Sequence, residues 1–217
     1  MKKLIFLALL FPIVAISQNC SEWYVYSETG KIYKNDVQIS EGYSEVGDIA
    51  ASGSDWYVIS SSGKVYKNDV QISEGYSGYC RIAASGSDWY ILSETGKVYK
   101  NDVQISEGYS GYGDIAVSGN DWYVVSSTGK VYKNDVQISE GYAEDCKITV
   151  SGSDWYVISQ TGIVYKNDVQ ISEGYADSGD IAACGNDWYV ISATGIVYKN
   201  DVQISEGYSK YCSISVK

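Results

Sequence analysis

Six tryptophans, Trp23, Trp56, Trp89, Trp122, Trp155 and Trp188, follow one another at intervals of 33 residues. Each stands in nearly the same stretch, which in the second copy reads Asp55-Trp-Tyr-Val-Ile-Ser-Ser-Ser-Gly-Lys-Val-Tyr-Lys-Asn-Asp-Val-Gln-Ile-Ser-Glu-Gly-Tyr76. A chain this regular builds one small unit six times and buries each unit against its neighbours. The copies also end in the phase in which they begin. Cys20 lies three places before the first Trp, Lys217 lies four before where a seventh would fall, and the 198 residues between are six periods. Matching phase at the two ends implies a ring.

Residues 1–17 stand outside the repeat. Met1-Lys-Lys is a basic start, residues 4–16 form an apolar run of 13, and Ala15-Ile-Ser17 is a small-x-small cleavage site. This is a bacterial-type secretory signal cut before Gln18, and its apolar run is short of the about 20 residues that span a bilayer. Ser17-Gln-Asn before Cys20 does not suit a lipoprotein anchor. Residues 18–217 are therefore expected as a single secreted domain, periplasmic or extracellular, with no membrane insertion. Removing Lys2 and Lys3 from the 16 basic residues leaves 14 against 27 acidic ones, a formal charge of −13. That charge repels phosphates and anionic lipid, so nucleic acid is not an expected partner.

In the second copy four short strands are predicted, at Asp48–Ser52, Trp56–Ser60, Lys64–Lys67 and Val70–Ser73. Ser-Gly-Ser-Asp, Ser-Ser-Ser-Gly and Asn-Asp separate them, which is turn chemistry. Gly63 suits the left-handed position of a hairpin loop, and Asn68-Asp69 a two-residue turn. The second strand, Trp-Tyr-Val-Ile, is apolar on both faces and must be covered on both. Sheets stacked around an axis provide that cover, so the expected fold is all-β, a six-bladed β-propeller of four-stranded blades. A straight solenoid needs end caps unlike its inner repeats, and the end repeats here are ordinary. Ser213–Lys217 matches the first strand of a unit while the N-terminus starts with the second. The C-terminal strand should therefore complete the N-terminal blade and leave no free edge.

Trp56-Tyr-Val-Ile-Ser-Ser-Ser-Gly-Lys-Val-Tyr66 and Gln71-Ile-Ser-Glu-Gly75 resemble the "V-W-x-V-x-x-x-G-x-I-Y" and "Q-I-x-G" stretches of tectonin-type β-propeller repeats. The resemblance extends over all six units. It departs where that family's Trp aligns with Tyr57 and its second Trp with Val70. Several members are lectins, so the resemblance implies carbohydrate binding without fixing the contact residues.

With no His, the chain has no Ser-His or Cys-His pair and no His-containing metal site. Asp55, Asp69 and Glu74 recur beside turns, where capping and surface charge explain them. No enzyme activity, cofactor or metal is expected. The aromatics, 6 Trp and 22 Tyr, are the abundant resource. Each ring buries about 150–250 Å², so Trp56, Tyr57, Tyr66 and their equivalents read as core. Tyr43, Tyr76, Tyr109, Tyr142, Tyr175 and Tyr208, just past the outer strand, are the candidate carbohydrate platforms, with Glu41-type and Asn35-type residues as partners. The alternative for these tyrosines is that they only seal blade junctions. The expected function is multivalent binding of surface glycans, linked weak sites gaining avidity. The other reading is a disc that binds a protein partner as an adhesion or scaffold surface.

Differences between copies gather at Glu28, Ser61, Glu94, Ser127, Gln160 and Ala193, and in the three residues after each Gly-Tyr, such as Ser44-Glu-Val, Ser77-Gly-Tyr and Ala143-Glu-Asp. In an up-and-down blade both places lie at one end, so one face of the disc is variable. Cys80, Cys146 and Cys212 alternate with Gly47, Gly113 and Gly179, and the next position runs Asp48, Arg81, Asp114, Lys147, Asp180, Ser213. The ring is thus three two-blade pairs. If this strand lines the axis, Asp48 with Arg81 and Asp114 with Lys147 become neighbouring opposite charges. The three like-phase cysteines should be too far apart to bridge; a three-thiolate metal site is the other reading. Cys20 and Cys184 break the pattern and belong to the first and last blades, which touch in a closed ring. A Cys20–Cys184 disulfide is expected, in keeping with an oxidising compartment.

Overall fold

The structure, a computed structural model, describes residues 20–43, 47–76, 78–109, 111–142, 144–175, 179–208 and 210–217. The proposed leader at 1–17 and part of the variable triplets (44–46, 77 and 143 among the quoted ones) lie outside the described residues. The chain forms six four-stranded antiparallel sheets set as blades around one axis, a six-bladed β-propeller. Blade two comprises β4 (Gly47–Ser52), β5 (Asp55–Ser60), β6 (Val65–Lys67) and β7 (Val70–Ser73). The outermost strand matches its predicted bounds, while the other three differ from theirs by one residue.

The turns follow from side-chain chemistry. Asn68 and Asp69 hold φ of 47° and 68°, so both central residues are left-handed, the type I′ geometry that matches strand twist. Asn68 also accepts the Trp56 N–H through Oδ1 at 3.0 Å and donates through Nδ2 to Asp55 at 2.7 Å. Gly63, at φ +74°, closes the other hairpin. The Tyr76 N–H donates to its carbonyl at 3.2 Å, and a Cβ there would overlap the Tyr76 backbone.

The apolar second strand divides its side chains between two dry interfaces. Trp56 and Val58 pack with Tyr24, Tyr26, Ile32 and Ile49 toward blade one. Tyr57 and Ile59 pack with Cys80, Ile82, Trp89 and Ile91 toward blade three. Six such clusters, one per blade junction, make up the core. A strand buried on both faces costs no exposed apolar surface only when the stack closes.

Closure runs through β24 (Ser213–Val216), which pairs with β1 (Trp23–Tyr26) in the register Trp23↔Val216 to Tyr26↔Ser213. The C-terminal strand therefore completes the N-terminal blade. Glu22 and Lys217 exchange backbone hydrogen bonds of 3.3 and 3.0 Å beyond it. Successive inner strands touch around the axis, and β24 touches both β20 (Asp180–Cys184) and β4.

Candidate functional site

The inner strands line a channel along the axis. Its waist, a cavity of about 110 Å³, is walled by Ile, Ala and Val residues together with Asp48, Asp114, Asp180, Thr149 and Ser215. One end opens between the Ser-Gly turns as a shallow mouth of about 250 Å³. The other end, at the crossovers and the loops between second and third strands, opens to about 430 Å³. Up-and-down topology puts those two loop types on the same face, so this mouth lies where the copies differ.

Three carboxylates enter the inner wall two blades apart. Asp48 accepts the N–H of Ile49 and, from the next blade, that of Ile82, both at 2.9 Å. Asp114 accepts Ile148 N–H at 2.8 Å. Asp180 accepts Ile181 and Ile214 N–H at 2.9 and 2.8 Å. These bonds clasp the blades in the three pairs read from the sequence. Two of the remaining junctions use hydroxyls instead, Ser215 accepting from Ala51 N–H at 2.9 Å and Thr149 from Ala183 N–H at 3.1 Å.

The expected neighbouring charges take a different form. Among the described residues, Arg81 and Lys147 make no ion pair within 4 Å and no hydrogen bond, because the carboxylates beside them are turned to backbone amides. Asp48 and Asp114 are buried, whereas Arg81 and Lys147 are half-buried. Both cations line the larger mouth, with Asp180 the only one of the three carboxylates to do so. Burial, then the Asp48 and Asp114 charges, push Asp180 up to about 7. Burial pushes Lys147 down, aided by Arg81.

Above this floor stand Tyr79, Tyr112 and Tyr211, 57%, 54% and 70% exposed, whereas the other described rings are buried or half-buried. The Tyr79 and Tyr112 rings are 5.8 Å apart at 63°. Tyr112 donates to Glu94 at 3.2 Å. Tyr211 sits at φ +55°, and Asp145, its equivalent two blades back, at +57°. For a bulky side chain that conformation is strained by about 1–2 kcal/mol. Glu28, Asp145 and Gln160 complete the rim.

The six candidate platform tyrosines sit elsewhere, at the blade junctions. Tyr43 lies edge-on to Trp56 and Tyr66 of the next blade, at 6.3 and 5.0 Å. Its hydroxyl donates to Asp69 Oδ1 at 2.7 Å, an oxygen that also receives the Ser40 hydroxyl. The same clasp recurs from Tyr76 to Asp102, Tyr109 to Asp135, Tyr142 to Asp168, Tyr175 to Asp201 and Tyr208 to Asp36. Tyr109 and Tyr175 are buried, and the other four half-buried. Burial and the aspartate hold each of these phenols above its ordinary range, Tyr208 up to about 12. Of their suggested partners, Glu41 receives Gln38 Nε2 at 3.0 Å, and Asn35 closes its turn by accepting Trp23 N–H at 2.9 Å.

Cys20 and Cys184 are joined as a disulfide with Cα atoms 5.6 Å apart. Tyr189 fastens the same segment by donating to the Cys20 carbonyl at 2.7 Å. Cys80, Cys146 and Cys212 are buried. Desolvation raises the Cys80 thiol and takes Cys146 to about 11. Among the described residues, no group of three or more His, Cys, Asp and Glu is placed to hold a metal ion.

Sequence reasoning marked the variable loops but not the tyrosines within them. Tyr79, Tyr112 and Tyr211 share one phase, occupied elsewhere by Val46, Asp145 and Ser178. That break from the sixfold pattern was the signal available.

The sequence matches no protein-family model and no curated protein. Among solved structures, the chain is similar to the computationally designed Ika8 protein, with a TM-score of 0.54 and 10% identity, over 86% of this chain and 72% of that one. A second designed protein, Ika4, gives a TM-score of 0.46 at 13% identity, over 59% of this chain and 94% of that one. BBS1N, crystallised in complex with ARL6DN, gives 0.49 at 12% identity, over 78% and 70%. At such identities the likeness to Ika8 concerns the fold alone.

Proposed function

We propose that this protein is a secreted, non-catalytic, lectin-like propeller that takes surface carbohydrate in the mouth where its copies differ. One observation carries the reading: three exposed tyrosines surround a polar-floored cavity of about 430 Å³. Ligand pockets run to about 300–1,000 Å³, and sugars offer C–H faces to aromatic rings and hydroxyls to polar groups. The resemblance to tectonin-type repeats supports the same reading. Asp48 and Asp114 are committed to backbone amides away from the mouth, and Asp180, which lines it, is held by the Ile181 and Ile214 amides.

A glycan array followed by titration tests it. The mouth predicts one ligand per chain, lost in Tyr79→Ala. About six equivalent ligands per chain, one of them lost in Tyr76→Ala, would instead return the site to the junction tyrosines. The protein-partner reading has its own support, since Val37, Val70, Val103, Val136, Val169 and Val202 are 64–65% exposed on the outer strands. Edge strands with exposed valine are surfaces another chain can pair with. A folded protein that binds no glycan and retains a protein partner through this rim would favour it.

A further inference from the structure

We infer that the mouth recognises a single carboxylate on its ligand, and so an acidic sugar of the uronic type, through Arg81 and Lys147. The inference rests on the carbohydrate reading and adds the ligand's charge. Its basis is the way charge is sorted along the axis. Asp48 and Asp114 face backbone amides and do not line the mouth, whereas Arg81 and Lys147 line it and make no hydrogen bond or ion pair to any described residue. A guanidinium presents donors in a fork that fits a carboxylate, and an ammonium adds a point charge.

The Asp48, Asp114 and Asp180 charges stabilise Arg81 through space, but their oxygens are given to backbone amides and none forms an ion pair with either cation, so the donors of both cations face the mouth. A ligand carboxylate on the floor would pair with both, and its ring would then rise between Tyr79, Tyr112 and Tyr211. The rim carries acids as well, Glu28 and Asp145, and the protein is strongly acidic overall. Those charges repel a polyanion while leaving room for one buried carboxylate. The site is thus selective for one negative charge per ligand, which six identical neutral sites would not be.

Titration of the full mature protein with glucuronate, glucose and acetate, by calorimetry or ligand-observed NMR, decides the matter. Glucuronate should bind once per chain and at least about tenfold more tightly than glucose, the span of one charge-assisted hydrogen bond. Arg81→Gln and Lys147→Gln should each remove about that factor for glucuronate and weaken glucose by much less. Tyr79→Ala, at an exposed position that cannot unfold the ring, should weaken both sugars. Equal binding of glucose and glucuronate, or glucuronate binding indifferent to Arg81→Gln in a folded variant, would overturn the charge recognition and leave the carbohydrate reading standing. Acetate binding that equals glucuronate binding and ignores Tyr79→Ala would leave an anion site and overturn the sugar. No binding of any of the three overturns both.

Discussion

Two tyrosine populations in this protein have opposite surroundings. Tyr76 gives its hydroxyl to Asp102 and packs edge-on against Trp89 and Tyr99. Asp102→Ala strips the acceptor from both Tyr76 and Ser73, and should cost about 1–3 kcal/mol for the stranded partners plus about 1 kcal/mol for Ala at the left-handed φ of 68°. A urea midpoint unchanged from the parent would show the clasp to be idle. Tyr211, by contrast, is exposed and held at φ +55°. Tyr211→Gly should relieve the strain, leaving the protein as stable or about 1 kcal/mol more so, while weakening ligand at the mouth. A variant that loses stability in proportion to binding would mark Tyr211 as a packing residue. Asp180 supplies the pH dependence. Its folded value of about 7 stands above the unfolded carboxyl near about 3.9, so the native state holds the proton more tightly. The associated stability is present at acid pH and is lost as pH rises toward about 7. Asp114 shifts in the same direction. Asp55-type carboxylates, held low by lysine and asparagine, lose their contribution only at still lower pH. Urea midpoints compared at pH 5 and 8 should fall across that window in the parent and flatten in Asp180→Asn.

Strands depend on what covers them. β5 is a good strand only because blades one and three cover its two faces, and β1 has an inner neighbour only through β24. Deleting residues 213–217 removes that neighbour and opens the cluster holding Ile214 and Val216. Cooperative unfolding should be lost, and a melting transition that survives intact would mean the ring does not depend on this strand. The Cys20–Cys184 disulfide closes the same junction with a sequence separation of 164. Replacing both cysteines by serine should cost about 2–4 kcal/mol, read as a lower denaturant midpoint under non-reducing conditions.

The whole disc is a sum of six equivalent junctions with one irregular opening. Since Glu22 and Lys217 are hydrogen-bonded neighbours, the ends can be joined by a short linker and the chain opened at another crossover. Such a permutant should fold and melt like the parent, whereas opening between the second and third strands of a blade should not be tolerated. Sixfold regularity serves the scaffold, because each junction repeats one packing solution. A single binding mouth needs the reverse, and it lies at the axis, where blades contribute unlike residues such as Arg81, Tyr112, Lys147 and Asp180.

Strand number, turn type and ring closure were legible in the chain because each is a local pattern with a period. Asn-Asp turns, an apolar run on the second strand and matching phase at the ends have few structural solutions. Strand ends moved by one residue, since pairing with a neighbour, and not propensity, sets where a strand stops. The axial alternation of Asp48, Arg81, Asp114 and Lys147 was also visible, but not what the carboxylates would bond. That choice depends on where the next blade's amides fall. Likewise, a Tyr after Glu-Gly and a Tyr three residues later look equally exposed in the sequence. Only the packing of one blade on the next half-buries Tyr76 against Trp89 and leaves Tyr79 standing over the axis, because burial belongs to the neighbour that a side chain meets.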